Sequence, residues 1–186
     1  IDIEEFMHQV DEIGLAIISQ KSDLVPADKR LYSLRDVTGT VASIPLITSS
    51  IVSKKAAEGI SSLVLDVKFG RGAFMEDIES ARELSESMVG VSNGLGVSTI
   101  AVLSSMNQPI GYSVGNSLEI LESVETLLGR GPADLEELVC VLGGLLLESS
   151  GSSNDFEEGA AKILDSLYDG SAFGKFVEMV ASQGGD

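Results

Sequence analysis

The sequence predicts an α/β fold, with a mainly parallel sheet flanked by helices and a helix-rich carboxy-terminal part. Two strand-like apolar runs, 63–67 and 97–103, alternate with segments of helical periodicity, a pattern typical of parallel α/β sheets. From about Ser117 onward, helical patterns follow one another. The 186 residues suit one domain, and 44% hydrophobic residues provide enough apolar side chain for a core.

Periodicity and turn residues place the predicted elements of the first half of the chain. Apolar residues at helical spacing indicate helices, prolines favour first helical turns, and glycines punctuate the ends. The predicted order is a helix over 6–13 ended by Gly14, a short buried strand over 15–18, a polar loop over 21–25, a helix from Pro26, a helix from Ser43 closed by Gly59, a strand over 63–67, a glycine-rich loop over 69–73, a helix over 77–91, a turn over 93–96 and a strand over 97–103.

The second half predicts helices over 117–128, 134–148, 155–168 and 172–182. Gly143 and Gly144 fall inside one of them and indicate close packing against a neighbouring helix. In open parallel sheets, ligands lie at the carboxyl ends of the strands. Here the loops at those ends begin at about Ser19, Lys68 and Ser104.

Composition excludes several kinds of partner. A net charge of −17 and a pI near 4.2 disfavour nucleic acid and anionic membranes, and no apolar run has the length of a membrane span. An anionic substrate would need a local cluster of positive groups. One cysteine, Cys140, cannot form an internal disulfide and fits a reducing, cytoplasmic compartment. Its apolar neighbours predict a buried small hydrophobe.

Two polar residues on the helix after Ser43 form a candidate site. Ser50 and Lys54 are four residues apart and share one face, and Ile47 and Ile51 flank them. A hydroxyl and an ammonium among isoleucines could bind a flat polar heterocycle. Spacing alone favours the plainer alternative, a solvated lysine and a serine bonded to the preceding helical turn.

Arg35, taken by itself, predicts a structural ion pair, with Asp36 or Asp66 as the partner. Longer motifs around these residues change that interpretation. They are Tyr32-Ser-Leu-Arg-Asp-Val-Thr38, Thr40-Val41, Ser43-Ile-Pro-Leu-Ile47, the run from Ser50 to Lys55, Leu65-Asp-Val-Lys68, Gly72-Ala-Phe-Met75, Met106-Asn-Gln-Pro109, Gly115-Asn116, Gly129 to Pro132 and Ala181-Ser-Gln-Gly184.

With these motifs, essentially the whole chain resembles the thymidine phosphorylase and pyrimidine-nucleoside phosphorylase family, the class II nucleoside phosphorylases. The resemblance implies that Arg35, Ser50 and Lys54 recognise the carbonyl oxygens and ring N–H of a pyrimidine. It places a tyrosine beside the base and apolar walls around it, and the matching residues are Tyr32, Val41, Ile47, Ile51 and Phe74.

The resemblance also implies co-substrates and ions. Inorganic phosphate is the co-substrate, and no organic cofactor is expected. Some enzymes of this kind hold a monovalent cation, for which the matching ligands are the carbonyls of Ile110 and Ser113 and the side chain of Glu122. Such oxygen donors suit a hard cation. The alternative for Glu122 is an ordinary surface helix residue.

By the same resemblance, residues 1–186 form a single α/β domain, the pyrimidine-binding lobe of a two-lobed enzyme. The family carries its phosphate loop, of the type Lys-x-Ser-x-Gly-Gly, and a base-protonating histidine on a helical domain. This sequence contains no such loop, so that domain and the family's carboxy-terminal domain are expected to be absent. The sole histidine, His8, is expected at a surface or interface. The full-length enzyme is expected to be a homodimer, and this fragment could be monomeric.

The function implied is phosphorolysis of thymidine to thymine and 2-deoxyribose 1-phosphate, with this chain supplying the base-binding half of the site and no catalytic residue. The isolated chain is expected to be inactive. Strict thymidine preference and acceptance of uridine both fit. Two alternatives are a non-catalytic binding or regulatory fragment with the same fold and a related phosphoribosyltransferase. The pyrimidine-recognising trio argues against the latter.

Overall fold

The computed structural model describes residues 2–18 and 25–185, and within them it contains eight helices and two strands. This confirms the α/β class and the helix-rich carboxy-terminal part. The elements are α1 (Ile3–Ile13), α2 (Pro26–Thr38), α3 (Ile44–Ala57), β1 (Ser62–Phe69), α4 (Ile78–Gly94), β2 (Ser98–Ser105), α5 (Asn116–Leu127), α6 (Ala133–Ser149), α7 (Phe156–Tyr168) and α8 (Ser171–Ser182). The described residues include no helix long and apolar enough to cross a membrane.

The two strands form a parallel pair, joined by the crossover through α4. Their register runs from Ser62 opposite Ser98 to Phe69 opposite Ser105. One face packs on α3 and α4 in a core built from Ile47, Val52, Val67, Met75, Ala81, Leu84 and Met88. The opposite face contacts α6, and the Ser62 hydroxyl donates to the Ser149 carbonyl at 3.1 Å. The sheet therefore lies between α3 and α4 on one side and α6 on the other.

The predicted strand over 15–18 is wrong. These residues have no regular secondary structure, and Ile17 is 63% exposed. The side chain of Gln183 takes both backbone groups of Ile17, accepting from its N–H at 3.2 Å and donating to its carbonyl at 2.7 Å. The side-chain amide thus makes the hydrogen bonds that a neighbouring strand would make to Ile17. The predicted polar loop over 21–25 lies, apart from Val25, outside the described residues.

Helices α6 and α7 cross at small residues. A Cβ at Gly144 would lie 2.9 Å from the backbone nitrogen of Ala160, and one at Gly159 would lie 2.6 Å from the Gly144 carbonyl oxygen. The backbones of the two helices are therefore nearly in contact. This confirms the close packing expected from Gly143 and Gly144.

Candidate functional site

One face of α2 carries three residues that point toward α3. Asp28, Tyr32 and Arg35 stand at positions i, i+4 and i+7, a spacing that aligns side chains along one helix face. Pro26 begins this helix, and Gly39, in the left-handed conformation with φ 65°, ends it. That sharp stop turns the chain through Val41 into α3, so the two helices lie side by side.

Arg35 is buried, with 7% of its surface exposed. Its Nη2 donates to the Val41 carbonyl, and its Cζ lies 5.1 Å from the centroid of the Tyr32 ring. Among the described residues, its Nε–H has no hydrogen-bond partner. Leaving a buried donor unsatisfied is costly, so this N–H is a place where a ligand acceptor would be stabilising.

The ion pair expected between Arg35 and Asp66 is not formed. Asp66 instead accepts from the Ser104 hydroxyl and pairs with Lys68 at 2.5 Å. The side chains of Asp66 and Lys68 leave the face of the sheet opposite to Val67, which packs against α3, because side chains alternate along a strand. The side chain of Asp36, the other expected partner, lies outside the described part of the structure.

Ser50 and Lys54 meet on α3 as their spacing predicted. Lys54 Nζ donates to Ser50 Oγ at 3.0 Å and lies 5.9 Å from the Tyr32 ring centroid. Ser50 is 5% exposed, and the Lys54 side chain is 25% exposed. Lys54 is therefore not the freely solvated lysine of the plainer alternative. Together with Arg35 above the same tyrosine ring, these residues converge on one small region, which we call the α2–α3 group.

The sequence analysis missed Asp28. Its carboxylate pairs with Lys54 Nζ at 2.5 Å, and its side chain is 12% exposed. The position of Asp28 four residues before Tyr32 and seven before Arg35 could have indicated it, since all three must share a face of α2. The ion pair itself crosses between helices and has no local signature.

The four predicted apolar walls occupy different environments. Ile47, 8% exposed, belongs to the core, and Ile51 packs against that core. Val41 is half-buried and meets Arg35 through its carbonyl. Phe74 is 71% exposed and lies in the loop between β1 and α4, away in sequence from the α2–α3 group. Most of the Phe74 side chain therefore faces solvent.

The loops after β1 and β2 are joined to each other. Gly72 N–H donates to the Met106 carbonyl at 3.0 Å, and Arg71 N–H donates to Asn107 Oδ1 at 3.2 Å. A Cβ at Gly70 would lie 2.7 Å from that same Oδ1, so the close approach requires glycine. The loops at the carboxyl ends of these two strands therefore gather at one place, as the sequence predicted.

The residues expected to hold a cation lie close together. Glu122 Oε1 accepts from the N–H groups of Tyr112 and Ser113 at 3.0 and 3.1 Å. Gly111 is so near that a Cβ there would be 2.2 Å from Glu122 Oε2. Glu122 thus anchors the loop that contains Ile110 and Ser113, and it is half-buried, unlike an ordinary surface helix residue. The loop groups seen against the Glu122 carboxylate are N–H donors.

His8 and two surface hollows of the described structure lie apart from the α2–α3 group. His8 is exposed and lies 3.4 Å from Glu12, which confirms its surface position. One surface hollow borders His8 and acidic residues of α1, and another, mostly apolar, is lined by Asn116, Ser117, Ile120 and Leu121. Neither hollow includes Arg35 or Lys54. The α2–α3 group therefore remains the candidate site on chemical grounds.

Similarity to known proteins identifies the class of protein. Residues 1–173 match the glycosyl transferase family, a/b domain, and the chain belongs to that family. Over 186 residues it is 47% identical to a pyrimidine-nucleoside phosphorylase of Staphylococcus aureus strain USA300 and covers 43% of that protein. It is 48% identical to one of Staphylococcus haemolyticus strain JCSC1435, with the same 43% coverage. The resemblance to pyrimidine-nucleoside phosphorylases is confirmed, and the chain spans less than half the length of these relatives.

Proposed function

We propose that this chain is the base-binding part of an enzyme that phosphorolyses pyrimidine nucleosides, converting thymidine and phosphate to thymine and 2-deoxyribose 1-phosphate. The observation that carries the proposal is the convergence of Arg35, Ser50 and Lys54 beside Tyr32. The relatives named above are pyrimidine-nucleoside phosphorylases, which supports the same activity here.

The donors and acceptors of the α2–α3 group match a pyrimidine-2,4-dione. Arginine and lysine can only donate, so Arg35 and Lys54 suit the two ring carbonyl oxygens. The ring N–H needs an acceptor, and within the trio only a hydroxyl can supply one. Ser50 Oγ accepts one bond from Lys54 and keeps a second lone pair for that N–H.

The same groups would assist bond breaking. Phosphorolysis breaks the bond between sugar C1′ and base N1, and the electron pair leaves with the pyrimidine. Negative charge therefore develops on the base, next to a guanidinium and an ammonium. Their attraction for the base grows as the bond breaks, which is the condition for catalysis. Burial of Arg35 strengthens that attraction because little water screens it.

The rest of the enzyme enters as part of the proposal. Phosphate and the base-protonating acid would be held by a helical lobe facing this one across a cleft, in a cytoplasmic homodimer. A monovalent cation would take the carbonyls of Ile110 and Ser113 and the carboxylate of Glu122, which already accepts from the N–H groups of Tyr112 and Ser113 in the same loop. Its part would be to stiffen that loop.

Base binding by the purified chain tests the proposal directly. We expect thymine and uracil, titrated at millimolar concentration, to shift NMR signals of Arg35, Ser50 and Lys54. Cytosine should bind more weakly, because its ring nitrogen lacks the hydrogen and its amino group replaces a carbonyl. Lys54→Met should weaken the binding and reduce the shifts at the same ligand concentration, and Lys162→Met, which removes an exposed lysine of α7, should not. Undisturbed signals in the unsubstituted chain would contradict the proposal.

Activity measurements test whether the acid and phosphate sites lie outside this chain. We expect the 186-residue chain alone to show no measurable turnover of thymidine with phosphate. Turnover by the purified chain would refute the idea that the acid and phosphate sites lie elsewhere. A full-length enzyme, compared on thymidine, deoxyuridine and uridine, would show whether the ribose 2′-hydroxyl is accepted.

A further inference from the structure

Asp28 makes a partly buried contact that the proposed function leaves unexplained. Its carboxylate meets Lys54 Nζ at 2.5 Å, with 12% of the Asp28 side chain and 25% of the Lys54 side chain exposed. Ion pairs on open surfaces contribute little, but this pair is shielded and lies inside the α2–α3 group. The ion pair should therefore change the affinity of a ligand that binds to the α2–α3 group.

The directions of the Lys54 donors follow from its partners. An ammonium has three N–H donors. One points to Asp28 Oδ2 and a second to Ser50 Oγ, on two different helices. The tetrahedral nitrogen then has one donor left, and its direction is fixed by the other two. A lysine held at two points loses the rotamer freedom that would otherwise oppose ligand binding.

We propose that Asp28 is a positioning residue, which orients the Lys54 ammonium so that its remaining N–H meets a carbonyl oxygen of the pyrimidine. This inference rests on the proposed function and adds a residue to it. Asp28 does not touch the base; it acts through Lys54. It also offsets one of the two positive charges of the group, so the site carries about one net positive charge from Arg35, Lys54 and Asp28, which matches a departing anion of one negative charge.

A purely structural role for Asp28 makes different predictions. Asp28 lies in the first turn of α2, where a carboxylate is stabilised by the helix dipole. If that were its whole role, Asp28→Asn would lower the thermal unfolding midpoint and leave uracil affinity unchanged. If Asp28 positions Lys54, the substitution weakens uracil binding in a chain that remains folded.

The experiment is a double-mutant cycle on the full 186-residue chain, with uracil affinity measured by NMR. We expect Asp28→Asn to raise the uracil Kd about tenfold, since a charge-assisted bond becomes a weaker neutral one. Asp28→Glu should recover part of the loss. In a Lys54→Met background the same substitution should have little effect, because residues that act through one another are not additive. Asp165→Asn, an exposed position on α7, is the matched control.

A second measurement keeps this inference separate from the proposed function. The 15N signal of the Lys54 ammonium, which slow proton exchange makes visible in a held lysine, should be present in the unsubstituted chain and lost in Asp28→Asn. If no base binds at all, the proposed function fails, and this signal still decides whether Asp28 holds Lys54. An Asp28→Asn chain with unchanged uracil affinity, or with an unchanged ammonium signal, would overturn the positioning role.

Discussion

Replacing Gly159 by alanine tests the crossing of α6 and α7. The added Cβ would lie 2.6 Å from the Gly144 carbonyl oxygen, 2.9 Å from Ser153 Oγ and 3.1 Å from Gly144 Cα. Two of these atoms belong to the backbone of α6, so no rotamer change can relieve the clash and the helices must separate. Overpacking of this kind costs up to about 3 kcal/mol, and the better helix propensity of alanine returns about 1 kcal/mol. We expect a net loss of about 2 kcal/mol.

The assay is urea unfolding followed by circular dichroism, with Gly174→Ala as the matched control. Gly174 is also a helical glycine, on α8, but nothing lies within 4 Å of a Cβ there. That variant should gain about 0.5–1 kcal/mol from helix propensity alone. The two substitutions are chemically identical and should move stability in opposite directions. A Gly159→Ala chain at least as stable as the unsubstituted one would refute the tight crossing.

Three further predictions concern α6 and α7. Asp155→Ala removes the cap on the Glu158 N–H at 2.8 Å and should cost about 1 kcal/mol in urea unfolding. Lys162 and Asn154 lower the pKa of Glu158 to about 2 from its ordinary 4.5. The ionised Glu158 therefore stabilises the fold above pH 4.5, and this contribution is lost as the pH falls toward 2. The difference in free energy of unfolding between the unsubstituted chain and Glu158→Gln should disappear over that pH range. Burial, aided by Glu136, raises the pKa of Cys140, so its thiol should react with a disulfide reagent at pH 8 more slowly than a free cysteine.

Local pattern was enough to predict most of the fold. The strand predicted over 63–67 is β1 with slightly wider bounds, and the one over 97–103 is β2, shifted by one residue at its start and two at its end. Apolar β-branched runs between turn residues are typical of buried strands. The four carboxy-terminal helices were also predicted, each within a few residues of its observed bounds. The failed strand over 15–18 was too short for periodicity to decide, and its hydrogen bonds come from a residue far along the chain.

In the candidate site too, contacts set by helical spacing were predicted and contacts set by turns or packing were not. The contact between Lys54 and Ser50 follows from helical spacing and was predicted. The bond from Arg35 to the Val41 carbonyl depends on how Gly39 turns the chain, and the pair of Asp28 with Lys54 depends on how two helices pack. The first depends on a turn and the second on tertiary packing, so helical spacing could not reveal either contact. The recognition role of Arg35, Ser50 and Lys54 stays a prediction for the titration to test.

The amide of Gln183 connects two segments that lie far apart in the sequence. It is the group that holds the backbone of Ile17, while Lys175 on the same helix donates to the Ile13 carbonyl at 3.0 Å. A protease cut just after Ser182 would therefore release Gln183 from the backbone of Ile17. Removal of Gln183 should make the backbone around Ile17 more susceptible to digestion.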